Sequence, residues 1–263
     1  MRLALLLQRI ALLVLLGLLV RLPAESRAAG WSGRRDVARD GAAPGGAEEA
    51  RSVRVTDRSP ALYPALMSVA LKIAPAGIAD LLAIPANERF HEIIDGELVR
   101  KAMPSIRHGG VQTGLSGRLG GPYNRRSGGG RPGGWRFAAE TEIRFDDHQI
   151  YRPDVAGWRR ERMPELVDEF PVTMRPDWVC EILSPSNESN DVIKKMRTYQ
   201  RCGVPHYWII DPIAESLIVY RWTEGGYLLV QSAEGTERVS AEPFDAVSFS
   251  VHGLLEGDDE DEA

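Results

Sequence analysis

Apolar and polar positions fall into regular periods only from about Ala76 onward. Ile78 to Ile84 spaces its apolar residues as a short amphipathic helix. Phe90 to Ile94 and Glu97 to Val99 flank Asp95-Gly96. Asp-Gly supplies the positive φ that a two-residue hairpin turn requires, so a β-hairpin is predicted there. His108 to Leu119 carries a helical pattern weakened by several glycines. Gly128 to Gly134, rich in Gly, Arg and Pro, reads as a loop. Trp135 to Phe145 predicts one or two strands, and Ile150 to Trp158 and Asp177 to Leu183 one each.

After the turn signal Ser184-Pro185-Ser186-Asn187, Ser189 or Asn190 can cap a helix from Asp191 to Arg201. That helix sets Asp191, Lys195 and Tyr199 on one stripe at i, i+4 and i+8. Gly203 ends it, and His206 to Asp211 follows as a buried strand stopped by Pro212. Leu217 to Trp222 and Tyr227 to Gln231 pair as strands around Gly225-Gly226. Strands with a helix inserted among them predict an α/β fold, a mixed β-sheet flanked by helices.

The net charge of −5 gives no global nucleic-acid signature, but the charges are unevenly placed. Arg100 to Ala139 holds eight Lys and Arg and no Asp or Glu, a segment that could contact phosphates or form a flexible cationic loop. The end of the chain, Glu256 to Glu262, holds six acids, so 251–263 is expected to be an acidic disordered tail. Cys180 and Cys202 fit neither a disulfide framework nor a zinc site and are expected to be reduced, inert thiols.

Residues 1–74 are expected to lie outside the folded domain of 75–250. Met1-Arg2, the apolar stretch from Ile10 to Val20 and Pro23-Ala24-Glu25-Ser26 resemble a signal peptide. The apolar stretch is too short to span a bilayer unaided. The Ala/Gly/Arg-rich stretch from 24 to 60 instead suggests a disordered leader or translated upstream sequence. The expected location is the cytoplasm, without a stable membrane partner. A genuine leader would make the protein exported or tethered through residues 1–25.

Three charged residues stand where charge is costly. Glu181 interrupts the apolar run Trp178-Val179-Cys180-Glu181-Ile182-Leu183, Asp154 follows Pro153 beside Val155-Ala156, and Lys195 lies on the helix just downstream. Burying an unpaired ion costs several kcal/mol, so such groups are paired or bind metal. Two strand carboxylates and a lysine suit a Mg²⁺-dependent phosphodiesterase, since Mg²⁺ needs only one or two carboxylates and keeps its waters. Structural Glu–Lys and Asp–Arg pairs, the latter with Arg152, explain the same residues. Strand alternation turns Val179, Glu181 and Leu183 to one face, so the position two beyond the glutamate is a leucine.

Five strings occur in order: Glu92 to Val99, Arg152-Pro153-Asp154-Val155, Val179 to Ser186, Asp191 to Tyr199, and Gly203 to Pro212. Together, over about residues 76 to 235, they closely resemble the Uma-two (Uma2) family of the PD-(D/E)XK nuclease superfamily. The resemblance implies a restriction-endonuclease-like core and metal-dependent DNA cleavage, with Mg²⁺ or Mn²⁺ as cofactor. It implies Asp154 and Glu181 as metal-binding carboxylates, and Lys195, with Lys194 as its rival, as the site lysine displaced from position 183. It matches Glu97 to an early acidic residue that adds a metal or water contact, and His108 to a histidine of the first helix region. The partners it implies are DNA, a divalent metal and, for double-strand cleavage with one site per chain, a homodimer. A catalytically silent nucleic-acid-binding or interaction module with the same fold is the alternative.

Overall fold

The Asp95-Gly96 turn forms as its sequence demands: φ is +52° and +75°, and Ile94 pairs with Glu97 across the two-residue loop. The computed structural model describes residues 74–184 and 190–257, and those from Pro75 onward belong to one unit. The expectations for the leader, the turn at 185–189 and the last residues 258–263 lie outside the described residues. A short helix α1 (Ile78–Leu82) precedes the hairpin of β1 (His91–Ile94) and β2 (Glu97–Arg100). Then come α2 (Ile106–Tyr123), β3 (Trp135–Ala139), β4 (Ile143–Asp146), β5 (Gln149–Tyr151), β6 (Val155–Arg159) and β7 (Trp178–Ile182). Helix α3 (Asn190–Arg201), β8 (His206–Asp211), β9 (Ser216–Thr223), β10 (Gly226–Glu234) and α4 (Val251–Glu256) complete the order.

The strands form two sheets, β2-β1-β5-β4 and β10-β9-β8-β7-β6-β3. Strands β7 and β8 run parallel, and α3 is the crossover such a pair needs. The other paired strands are antiparallel, so the larger sheet is mixed. The run from Trp135 to Phe145 splits between the sheets as β3 and β4. The run from Ile150 to Trp158, expected as one strand, also divides: Arg152-Pro153-Asp154 carries the chain from β5 in the small sheet to β6 in the large one. Pro153 has no N–H to give a ladder, which suits this break. Asp154 therefore sits at the passage between sheets, not inside a strand.

Strand β7 separates two cores by simple alternation. Trp178, Cys180 and Ile182 pack with Trp135, Trp208 and Phe244, while Val179 and Leu183 pack with Tyr199 and Tyr207. The Phe244 ring lies 4.9, 5.1 and 5.6 Å from those of Trp135, Trp178 and Trp208, all edge-on. Such pairs add roughly 0.5–1.5 kcal/mol each beyond their buried area. Helix α2 buries Val111, Leu115 and Leu119 at four-residue spacing on the first core. A glycine of α2 is a contact point: a Cβ at Gly114 would lie 2.4 Å from the Leu254 carbonyl oxygen of α4.

Helix α4 corrects the expectation of a disordered tail from residue 251. Ser250 caps it by accepting a hydrogen bond from the Gly253 N–H at 2.9 Å, and Val251 and Leu254 are buried. Both cysteines are free, with Cys180 buried. Among the described residues no helix is long and apolar enough to cross a membrane.

Candidate active site

Strand β7 presents Glu181 to a cleft of about 250 Å³ that Asp154, Lys195, Lys101, His108 and Leu183 also line. Its neighbours Cys180 and Ile182 face the opposite core, so alternation alone turns Glu181 this way. The crossover returns the chain over the same end of the sheet, where α3 sets Lys195 and Tyr199, one turn apart, against Glu181. Tyr199 donates its hydroxyl to Glu181 Oε1 at 2.5 Å. Lys195 Nζ lies 3.4 Å from both Glu181 oxygens and 2.8 Å from Glu92 Oε1 on β1. The Asp191 side chain lies outside the described residues.

Asp154 is held differently. Its Oδ2 accepts the Ile182 N–H at 2.6 Å and lies 3.2 Å from His108 Nε2 in the first turn of α2. Its Oδ1 accepts from Lys101 Nζ at 2.9 Å. The same ammonium donates to Glu140 Oε2 and to the Arg152 carbonyl, each at 2.7 Å. Gln112, one turn along α2 from His108, donates to the Asp154 carbonyl at 2.7 Å.

These surroundings push the two carboxylates in opposite directions. Burial would raise Asp154, but the His108 hydrogen bond and the Lys101 charge outweigh it and hold the carboxyl well below its ordinary value of 3.8. Burial raises Glu181 from 4.5 to about 7, and repulsion from Asp154 and Glu92 adds to it against the pull of Lys195. Lys195 is pulled down by burial and held up by Glu181 and Glu92, with the net above 10.5. The lysine is thus held in its charged form between two glutamates, while burial and the neighbouring carboxylates disfavour the ionised form of Glu181.

A family model, Uma2, described as putative restriction endonuclease, matches residues 78–252. The chain belongs to the Uma2 family. The fold has a solved counterpart, a crystal structure of a putative nuclease belonging to DUF820 from Anabaena variabilis ATCC 29413. It is 24% identical with a TM-score of 0.56, and the match covers 69% of this chain and 98% of that one. That likeness supports the restriction-endonuclease-like α/β fold and nothing finer. No functionally curated protein matches the chain.

Of the residues that the Uma2 resemblance singles out, the fold brings Asp154, Glu181, Lys195 and His108 to one cleft. It does not bring Glu97. That side chain is 73% exposed on β2 and has Lys194 as its ionic partner at 3.9 Å. Two residues separated by the hairpin explain the difference: Glu92 on β1, not Glu97 on β2, faces Lys195, and Glu92 also accepts the Arg152 N–H at 2.6 Å. Lys194, the rival lysine, points to Glu97 and away from Glu181. Arg152 does not pair with Asp154; it stacks over Phe90 at 5.4 Å and donates to the Glu140 carbonyl at 3.1 Å.

Sequence reasoning missed Glu92, Lys101, Glu140 and Gln112. Glu92 carried the same signal as Glu181, a carboxylate beside the apolar pair Ile93-Ile94 in a predicted strand. The other three are brought in by the passage between sheets and the start of α2, which no local period encodes.

Proposed function

We propose that this chain is a Mg²⁺- or Mn²⁺-dependent endonuclease that hydrolyses DNA phosphodiester bonds. The observation that carries this proposal is the convergence of Asp154, Glu181 and Lys195 on one cleft, where burial and the neighbouring carboxylates make the ionised form of Glu181 costly. A divalent cation between the two carboxylates would offset that cost. Among the described residues no group of three or more His, Cys, Asp and Glu could cage an ion. Mg²⁺ asks for less: one or two carboxylates and its own waters suffice, and this donor set of two oxygen ligands fits it.

Asp154 and Glu181 would hold the ion. When bound, it would polarise a phosphate oxygen and lower the pKa of a water. The protein's own contribution is positional. Lys101, His108 and the Ile182 N–H fix both oxygens of Asp154, so the carboxylate stays charged and oriented. Tyr199 orients Glu181 through Oε1. Lys195, kept protonated by Glu92 and Glu181, offers the cleft an ammonium that can offset charge building on phosphate oxygens. Burial strengthens that contact relative to bulk water. The restriction-endonuclease description of the family supports DNA as the substrate, and double-strand cleavage with one site per chain would call for a homodimer.

A catalytically silent nucleic-acid-binding module has one observation in its favour: Lys101 and Lys195 pair with Asp154, Glu92 and Glu181 and so give these buried carboxylates counter-charges of the protein's own. Titration of Mg²⁺ and Mn²⁺ against a panel of DNA and RNA substrates, with wild type beside Glu181→Ala, separates the two. The expected result is DNA cleavage that needs the metal and Glu181. Full activity in purified Glu181→Ala, or in chelator, would overturn the proposal. Binding without cleavage at any metal concentration would favour the silent module.

A further inference from the structure

The Gly/Arg-rich loop after α2 is a second place where charge stands uncompensated, far from the cleft. Arg125 donates through Nε to the carbonyls of Pro122 and Pro132, at 2.9 and 3.1 Å, and so closes the loop. Arg160, just past the end of β6, donates to the Trp135 carbonyl at 2.9 Å and to Asn124 Oδ1 at 3.3 Å. Arg136 on β3 donates to the Met163 carbonyl at 2.8 Å and to that of Pro164. Arg126 and Arg131 stand on the loop itself and are exposed. Every acceptor named is neutral, and no ion pair among the described residues engages any of these five arginines. Three guanidiniums are therefore fixed in place without losing their charge. Burial, with repulsion from Arg136 and Arg126, lowers Arg160 below its ordinary value, as expected where guanidiniums crowd without a counter-ion.

The patch and the cleft occupy opposite ends of the same elements. His108 lies in the first turn of α2 and the Arg125 loop follows its last. Asp154 precedes β6 and Arg160 follows it. Helix α2, with its 18 residues, is about 27 Å long at 1.5 Å per residue. The five residues of β6 span about 17 Å. At roughly 3.4 Å per nucleotide along a strand, that range corresponds to about five to eight phosphates.

We propose that Arg125, Arg126, Arg131, Arg136 and Arg160 form a phosphate-backbone surface that holds nucleic acid about five to eight nucleotides from the cleavage cleft. The choice of nucleic acid as the polyanion rests on the endonuclease function proposed above. Arginines anchored on carbonyls present their remaining N–H groups to phosphate oxygens at little cost in side-chain entropy. The contacts reach phosphates only, so the surface adds affinity and register, not base specificity.

The test uses the full chain and fluorescence anisotropy with labelled duplexes of 6 and about 24 base pairs across a salt series. Glu181→Gln serves as the background, so that binding is read without cleavage. The longer duplex is expected to bind more tightly than its extra statistical sites explain. Arg126→Gln combined with Arg131→Gln should lower the slope of log K against log salt by about 1.8, two contacts at about 0.9 each. It should weaken binding roughly tenfold or more at low salt, and Arg126→Lys with Arg131→Lys should keep the slope. In the cleavage-competent background the Gln pair should raise KM and leave kcat unchanged. An unchanged slope in a folded Gln pair, or a chain that binds neither duplex nor single strand at any salt, overturns the surface. Arginine-dependent binding without cleavage would refute the proposed nuclease and keep the surface. Cleavage with an unaltered KM in the Gln pair would do the reverse.

Discussion

The sharpest test of the cleft is Glu181→Gln, because the charge imbalance predicts a gain in stability where a loss would be the ordinary result. Burial pushes the Glu181 carboxyl up from 4.5 to about 7, so the native state holds its proton more tightly. A carboxyl raised in this way contributes stability that is fully present below 4.5 and lost as pH rises through about 7. The difference of about 2.5 units, at about 1.36 kcal/mol each, amounts to roughly 3 kcal/mol lost by pH 8. Glutamine keeps the shape, stays neutral and escapes that penalty. It gives up the charged contacts to Lys195 and Tyr199, so a net gain of about 1–3 kcal/mol is expected at pH 8 in chelator. For a domain of this size that is a rise in Tm of about 3–10 °C. At pH 5 the two proteins should melt together. Thermal unfolding in EDTA from pH 5 to pH 8 measures both arms. Parallel curves for wild type and Glu181→Gln across that range would refute the imbalance, and with it the main support for a cation at this position. Added Mg²⁺ should raise the wild-type Tm at pH 8 and leave the variant unchanged.

Asp154→Asn should behave in the opposite way and lower stability at neutral pH by about 2–3 kcal/mol, because it leaves Lys101 with Glu140 alone as its carboxylate partner; equilibrium denaturation reads it. Lys195→Ala should lower the cleavage rate about a hundredfold or more with little change in metal affinity, whereas Lys194→Ala should be nearly silent, since among the described residues Lys194 pairs with Glu97; single-turnover rates with a metal titration separate the two. Glu97→Ala should leave activity intact and change stability by less than about 0.5 kcal/mol, while Glu92→Ala should impair both.

Local periods carried most of the fold and about half of the cleft. The hairpin was legible because Asp-Gly allows few other conformations. Glu181 and Lys195 were legible because charge in an apolar strand and a lysine on a helix stripe each need a reason. The division of Ile150–Trp158 between two sheets was not, since both halves alternate alike and only long-range pairing decides which sheet each joins. The swap of Glu97 for Glu92 has the same origin. Both flank one turn in sequence, and the face of the hairpin that meets α3 is fixed by packing. Helix α4 was hidden by the acidic residues after it, although Val251 and Leu254 already had the spacing of a buried helix face.

The cleft also acts as a clasp. Glu92 and Lys101 come from the smaller sheet or its exit, Glu181 from the larger, and Lys195 from the crossover between two strands of the larger. Their ion pairs link the two sheets. A descendant that lost its chemistry could not discard Glu92, Lys101 or Lys195 one at a time, because each of those losses strands a buried partner, whereas the Glu181 charge could go at a gain in stability. Selection for a folded protein alone would preserve those three but not the charge at Glu181. Retention of Glu92 and the two lysines in a related chain is therefore a weaker sign of a working nuclease than it would be on an open surface, and Glu181 with its metal response becomes the better criterion.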